Sequence, residues 1–113
     1  MKISVAQIES FKGEIQRNMD HHLTFIQRAV KEKADLIVFP ELSLTGYEPE
    51  LAEALATEIE DSHFDMFQRM SNLDHIIIGV GMPIRSEAGI HIGMILFQPH
   101  RERQVYYKKY LHE

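Results

Sequence analysis

Cysteine is absent from this 113-residue sequence. With no thiol, the chain can form no disulfide and offers no cysteine-based metal site. Runs of basic residues are missing too: the densest positive sites are single pairs such as Lys108-Lys109, and the formal net charge is −5. A nucleic-acid-binding surface needs a basic patch, so the charge argues against that class of partner. No apolar stretch approaches the roughly 20 residues that span a bilayer. The opening Met1-Lys2 followed by Ile3 to Ile8 is too short, and too polar at Ser4 and Gln7, for a signal peptide. These absences lead to the expectation of a soluble cytoplasmic protein that binds neither nucleic acid nor membrane.

What is present reads as a single globular unit. The hydrophobic content of 44% is ordinary for a packed core. Lys2 to Ile8 is rich in β-branched residues and reads as a strand buried on at least one face; Lys12-Gly13 breaks it. From Glu14, the apolar positions Ile15, Met19, Leu23, Ile26 and Val30 recur at steps of three and four, which is an amphipathic helix ending in Lys31-Glu32-Lys33. Leu36-Ile37-Val38-Phe39 is a continuous apolar run between Asp35 and Pro40, and such runs imply burial on both faces of a sheet. Leu42 to Tyr47 follows as a loop, and Leu51 to Thr57 reads as a helix. Ser62 is placed to cap a further helix carrying Phe64, Phe67 and Met70. His75 to Met82, Ile90 to Gln98 and Arg103 to Tyr110 complete the set as strands, the last two joined by a turn at Pro99-His100-Arg101-Glu102. The order is β-α-β-α-α-β-β-β, an α/β layer architecture. A sheet that ends at Tyr110 without a closing helix leaves apolar surface uncovered, which points to a truncated chain or fragment.

Several conspicuous residues carry little chemistry. The seven histidines are scattered, and none has the i, i+4 spacing with a nearby acid of a zinc-binding helix. They read as surface or partly buried. Gly79-Val80-Gly81 lies inside a strand with no helix after it, so it is not a dinucleotide loop. Nor does a glycine-rich loop follow the first strand, where Glu9-Ser10-Phe11-Lys12 stands instead; a nucleotide-binding domain is thereby disfavoured. Met66 and Met70, at helical spacing, are simplest as core.

The informative segment runs from Asp35 to Tyr47, DLIVFPELSLTGY. A buried strand here delivers a carboxylate, Glu41, at its C-terminal end, the edge where open α/β sheets place ligand sites. Apolar walls disfavour the charged form of such a Glu, raising its pKa and suiting it to proton transfer. Taken alone, a Glu in this place is more often a solvated loop acid or a helix cap. The whole string Phe39-Pro40-Glu41-Leu42-Ser43-Leu44-Thr45-Gly46-Tyr47, however, resembles the signature of the nitrilase superfamily of carbon–nitrogen hydrolases. A second string, Tyr106-Tyr107-Lys108-Lys109-Tyr110-Leu111, is similar to that family's Tyr-x-Lys-x-x-Leu motif. The opening KISVAQI, Asn18 in the first helix and the strand IIIGVG are similar as well, so the likeness runs along nearly the whole chain.

The resemblance implies an α-β-β-α sandwich, of which residues 1–113 form the N-terminal half of one domain, ahead of the nucleophile. It implies hydrolysis of an amide or nitrile by Glu-Lys-Cys chemistry, with Glu41 as general base and Lys108 stabilising the oxyanion. Tyr47 is a candidate pocket residue, and packing under the loop is an equal alternative for it. No cofactor and no metal is implied; a small amide or nitrile substrate and a homo-oligomer are. If β-strand alternation holds, Tyr106, Lys108 and Tyr110 share one face and Tyr107 and Lys109 the other. The sequence departs from the family in two respects. His91-Ile92 stands where many relatives have a Tyr-Asn-like pair. The cysteine lies downstream of the lysine motif in the family and is missing here, and Ser43, near Glu41, matches nothing in the pattern. A non-catalytic, degenerate module acting by association is therefore the competing reading.

Overall fold

The computed structural model describes residues 1–11, 13–40, 44, 62–86 and 89–110, without the side chains of 86 and 107–110. The described residues form strand β1 (Ile3–Val5), helix α1 (Ile15–Lys31), β2 (Leu36–Val38), a 3-10 turn (Ser62–Phe64), helix α2 (Asp65–Asp74), then β3 (Ile77–Ser86), β4 (Gly89–Phe97) and β5 (Gln104–Tyr110). All five strands join one sheet in sequence order. β1, β2 and β3 are parallel, and β4 runs antiparallel to both of its neighbours, β3 and β5. The expected helix at Leu51 to Thr57 lies outside the described residues.

Why α1 forms and stops is local. Gly13 takes a left-handed φ of 72°, a conformation that costs glycine little, and turns the chain into the helix. Arg28 and Lys31 stand in the last turn, where positive charge opposes the negative end of the helix dipole. Past the end, Lys33 adopts φ 61° and the Ala34 N–H donates to the Ala29 carbonyl at 3.0 Å, closing off an otherwise orphaned acceptor. The buried line of α1 is Asn18, Met19, His22, Ile26 and Ala29. Leu23 and Val30, expected at the centre of the apolar stripe, are only half-buried; the helix is rotated so that two polar side chains face inward.

Both helices pack on one face of the sheet. That face carries Ile37, Ile78, Val80, Met82, Ile95 and Phe97, all buried, and they join Met19, Ile26, Phe64 and Phe67 in a single core. α2 is further tied down by polar contacts: Gln68 Nε2 donates to the Gln98 carbonyl at 2.7 Å and the His100 N–H donates to Asn72 Oδ1 at 2.6 Å. Ser62 does not cap α2. It opens the 3-10 turn, and the α-helix begins after Phe64 without a side-chain cap, because burial of the Phe64 ring against Phe97 sets the entry angle.

The opposite face corrects the expectation for β2, while the strand at Lys2 to Ile8, expected to be buried on at least one face, is covered on one. Leu36-Val38 was expected to be buried on both sides, yet only Ile37 is; Leu36 and Val38 are half-buried. In β1, Ile3 and Val5 are 56% and 73% exposed, and the covered side falls to Ser4 and Ala6. The reason is one of layers: among the described residues, helices lie over one side only. Phe67→Ala, in a fully buried position against Phe97, should cost about 3–5 kcal/mol in urea unfolding. Leu73→Gln, on a side chain 73% exposed, should change stability by less than about 0.5 kcal/mol.

Candidate active site

The segment after β2 is fixed at both ends on β3. The Phe39 N–H donates to the Gly79 carbonyl at 2.9 Å, and the Leu44 N–H to the Gly81 carbonyl at 3.2 Å. Phe39 and Leu44 are both buried in the core. Phe39 lies against the His22 ring with centroids 4.2 Å apart and meets Phe25 edge-on at 6.4 Å. Through His22 and Phe67 this aromatic cluster reaches Phe97 on β4. The Leu44 carbonyl in turn accepts from Asn18 Nδ2 at 2.8 Å. Glu41 and Tyr47 themselves lie outside the described residues; their neighbours in sequence, Phe39, Pro40 and Leu44, are within them.

Lys108 belongs to β5, and its backbone position is informative. Gly81, Met94 and Tyr106 are successive partners across β3, β4 and β5. Leu44 therefore meets β3 at the level of Tyr106, two residues before Lys108. Two strand spacings, roughly 10 Å, separate β3 from β5. The topology thus gathers the exit of β2 and the C-terminal part of β5 at one end of the sheet, the end where the parallel strands point.

Strict alternation does not survive along β5. Gly93 pairs with Tyr107 and Ile92 with Lys109, so Lys108 is the extra residue of a register shift. By register, Tyr110 falls in line with Tyr107, and Lys109 with Tyr106, the reverse of the unbroken pattern. Gly93 makes room for the shift: a Cβ there would meet the Tyr106 carbonyl at 3.2 Å and Ile84 Cγ1 at 3.5 Å. Two-residue periodicity carries no information past such a bulge, and a lone Gly in an apolar strand was the available signal for it.

Two of the histidines expected at the surface or partly buried are buried: His22 fully and His91 at 8% exposure. His22 Nδ1 is 2.6 Å from the Asn18 carbonyl; a carbonyl can only accept, so Nδ1 carries the proton. Burial pushes the His22 pKa down to about 4, the hydrogen bond to Asn18 opposes that shift, and the neighbouring His21 adds to it. Among the described residues no three His, Asp or Glu side chains gather as a metal site, and no helix is long and apolar enough to cross a membrane. A cavity of about 390 Å³ lined by Asp65, Gln68, Arg101, Glu102 and Arg103 sits by the start of β5, away from Lys108, and takes no part in the site. Its walls are held by an Arg103–Asp65 ion pair.

The family model for carbon-nitrogen hydrolases matches residues 2–112. The chain belongs to the carbon-nitrogen hydrolase family. It is 31% identical over 105 residues to a glutamine-dependent NAD(+) synthetase of Aquifex aeolicus and 32% identical over 88 residues to that of Acinetobacter baylyi. These alignments take in 85% and 78% of this chain but only 18% and 16% of those proteins, so the family member spans less than a fifth of the curated relatives it matches. Among solved structures, a CN-hydrolase superfamily protein of Xanthomonas campestris superposes with a TM-score of 0.82 at 19% identity, over 94% of this chain and 39% of that one. An amidase of Nesterenkonia superposes with a TM-score of 0.78 at 24% identity, over 96% of this chain and 42% of that one. Both likenesses establish the fold: a mixed α/β sheet of the nitrilase type, covering its N-terminal portion.

The depressed His22 pKa makes a stability prediction. The unfolded chain binds a proton at the ordinary histidine pKa of 6.5, and the folded chain only near 4. The contribution of the neutral ring is therefore complete above pH 6.5, declines as pH falls toward 4, and is flat below, an effect of about 3 kcal/mol. Urea unfolding from pH 7 to pH 4 should lose correspondingly more stability in the native protein than in His22→Gln. Equal slopes would show that His22 titrates normally in the fold.

Proposed function

We propose that residues 1–113 supply the base and the oxyanion partner of an amide-cleaving carbon–nitrogen hydrolase, with Glu41 as general base and Lys108 as the positive group. The supporting observation is that the exit of β2 and the Lys108 stretch of β5 meet at one end of the sheet in a chain of this family. In this reading Glu41 takes the proton of a cysteine thiol contributed from outside these residues, because thiolate is the reactive form. The thiolate attacks the carbonyl carbon, and the Lys108 ammonium stabilises the oxyanion that develops. Glu41 then protonates the departing amine, leaving a thioester that water hydrolyses with the same carboxylate as base. Tyr47, close to Glu41 in sequence, is a candidate for the pocket wall.

The relatives support a reading of the substrate class. Those at 31–32% identity are named as glutamine-dependent, and glutamine carries a primary carboxamide. A primary amide is accordingly preferred here over a nitrile. A cytoplasmic homo-oligomer is the setting proposed, since a reducing compartment keeps a nucleophilic thiol free. The second reading is a non-catalytic module acting by association, in which no thiol is brought to Glu41.

One experiment separates the two. In the full-length protein, Glu41→Gln should lower glutamine hydrolysis by roughly 10²–10⁴-fold with the fold intact by circular dichroism. Lys108→Met should cost about 10²–10³-fold, and Lys109→Met little. Retained activity in Glu41→Gln removes it from the role, and full sensitivity at Lys109 in place of Lys108 reverses the assignment. An unmodified protein that hydrolyses no amide favours the non-catalytic reading. In a structure with both side chains placed, the Glu41 carboxylate and the Lys108 ammonium should approach within roughly 3–4 Å.

A further inference from the structure

Asn18 is an expensive residue to bury. It is 1% exposed on the inner face of α1, where an apolar side chain would bring no desolvation cost. Its carboxamide is almost fully used. Oδ1 accepts from the Phe11 N–H at 2.6 Å, and Nδ2 donates to the Phe11 carbonyl and to the Leu44 carbonyl, each at 2.8 Å. One side chain thereby ties together three pieces of chain: the loop between β1 and α1, the helix itself, and the segment that follows β2. Holding Phe11 alone would need only one donor and one acceptor on a short side chain. The second Nδ2 hydrogen is spent on Leu44.

Leu44 is three residues past Glu41, and Phe39 is two before it. Both are anchored to β3, at carbonyls two residues apart. Chain connectivity keeps residue 41 within two residue steps of Phe39, roughly 7 Å. How far it can shift inside that radius depends on how firmly the Leu44 end is held. On that side the described residues hold it through the longer bond to Gly81, at 3.2 Å, and the shorter, buried bond from Asn18, at 2.8 Å.

We infer that Asn18 is a positioning residue for the general base: its buried carboxamide fixes the Leu44 carbonyl and thereby the placement of Glu41. The inference rests on the reading of Glu41 as base. Asn18 touches neither substrate nor Glu41 in this role; it acts through the backbone. Removal of the carboxamide leaves the Phe11 carbonyl its bond from the Glu14 N–H but takes the buried donor from the Leu44 carbonyl, which frees one end of the segment, and misplacement of a catalytic group by about 1 Å is worth up to about 10²-fold in rate.

The test is steady-state kinetics of the full-length protein with glutamine, comparing Asn18→Ala with Ile26→Ala. Ile26 lies on the same helix, is fully buried and belongs to the apolar core, so its truncation loosens packing without removing the donor to the Leu44 carbonyl. Asn18→Ala is expected to lower kcat about 10- to 100-fold with KM within about threefold, and to move the acidic limb of the kcat/KM pH profile; Ile26→Ala, with at least as large a drop in melting temperature, should do neither. Should Asn18→Ala fail to fold, Asn18→Ser keeps a short polar group near Phe11 and cannot span both carbonyls, and the same comparison applies. A kcat no lower than that of Ile26→Ala, or a loss confined to KM, overturns the positioning role. Glu41→Gln in the same series separates the two claims: if it is inactive while Asn18→Ala behaves like the control, positioning alone fails. If Glu41→Gln is active, the base assignment fails and the positioning role falls with it.

Discussion

Strand β3 is the element from which the other registers follow. It accepts β2 in parallel on one side, Leu36 to Val38 against Ile77 to Gly79, and pairs antiparallel with β4 along its whole length on the other. Once Ile78, Val80 and Met82 point to the helices, period-two geometry assigns every partner residue to a face. Past the end of that parallel pairing, the Gly79 and Gly81 carbonyls receive the N–H groups of Phe39 and Leu44. The strand that organises the sheet therefore also holds the segment with the candidate base. A slip of one residue there would turn the core outward and carry the segment with it.

A line of rings runs through the otherwise largely aliphatic core. His22, Phe39, Phe67 and Phe97 form a continuous contact from α1 through the exit of β2 and α2 to β4. A neutral imidazole fits that chain because its one donor is satisfied inside its own helix, leaving the ring faces for Phe39. Packing and protonation are coupled here: the environment that makes the ring a good neighbour for Phe39 is the one that depresses its pKa. Phe39 follows directly on β2, so the cluster fixes the exit of that strand as well as the core.

Much of this was legible in the sequence, for physical reasons that differ by element. The stripe Ile15, Met19, Ile26 and the apolar runs at Leu36 and Ile77 are strong signals because burial of one face dictates their period. The turn at Pro99 to Glu102 was visible in its residue types, and His100 indeed takes φ 58° there. What escaped was whatever depends on a third body. Asn18 and His22 read as polar helix residues until the loops and rings that satisfy them are in place. The exposure of Ile3 and Val5 cannot be read from a hydrophobic run, which records what a strand is able to bury and not what covers it. Residue identities at Glu41 and Lys108 were legible only through the two motifs, since a carboxylate at a strand end or a lysine in a last strand is individually common.

The bulge at Lys108 shows how far such reading reaches. Alternation assigned Lys108 and Lys109 to opposite faces, and on that basis only one of them could approach Glu41. The register between β4 and β5 inserts Lys108 as an unpaired residue and returns Lys109 to the line of Tyr106. A lysine in a regular strand has its direction set by the pleat, whereas one at a bulge is re-aimed by the local twist, and bulges recur beside active sites for that reason. Gly93 is the partner that lets the backbones come close enough for it. The distinction between the two lysines thus passes from parity to local geometry: Lys108 is set apart as the inserted residue, two residues past the level at which Leu44 meets β3, while Lys109 is a paired strand residue like its neighbours.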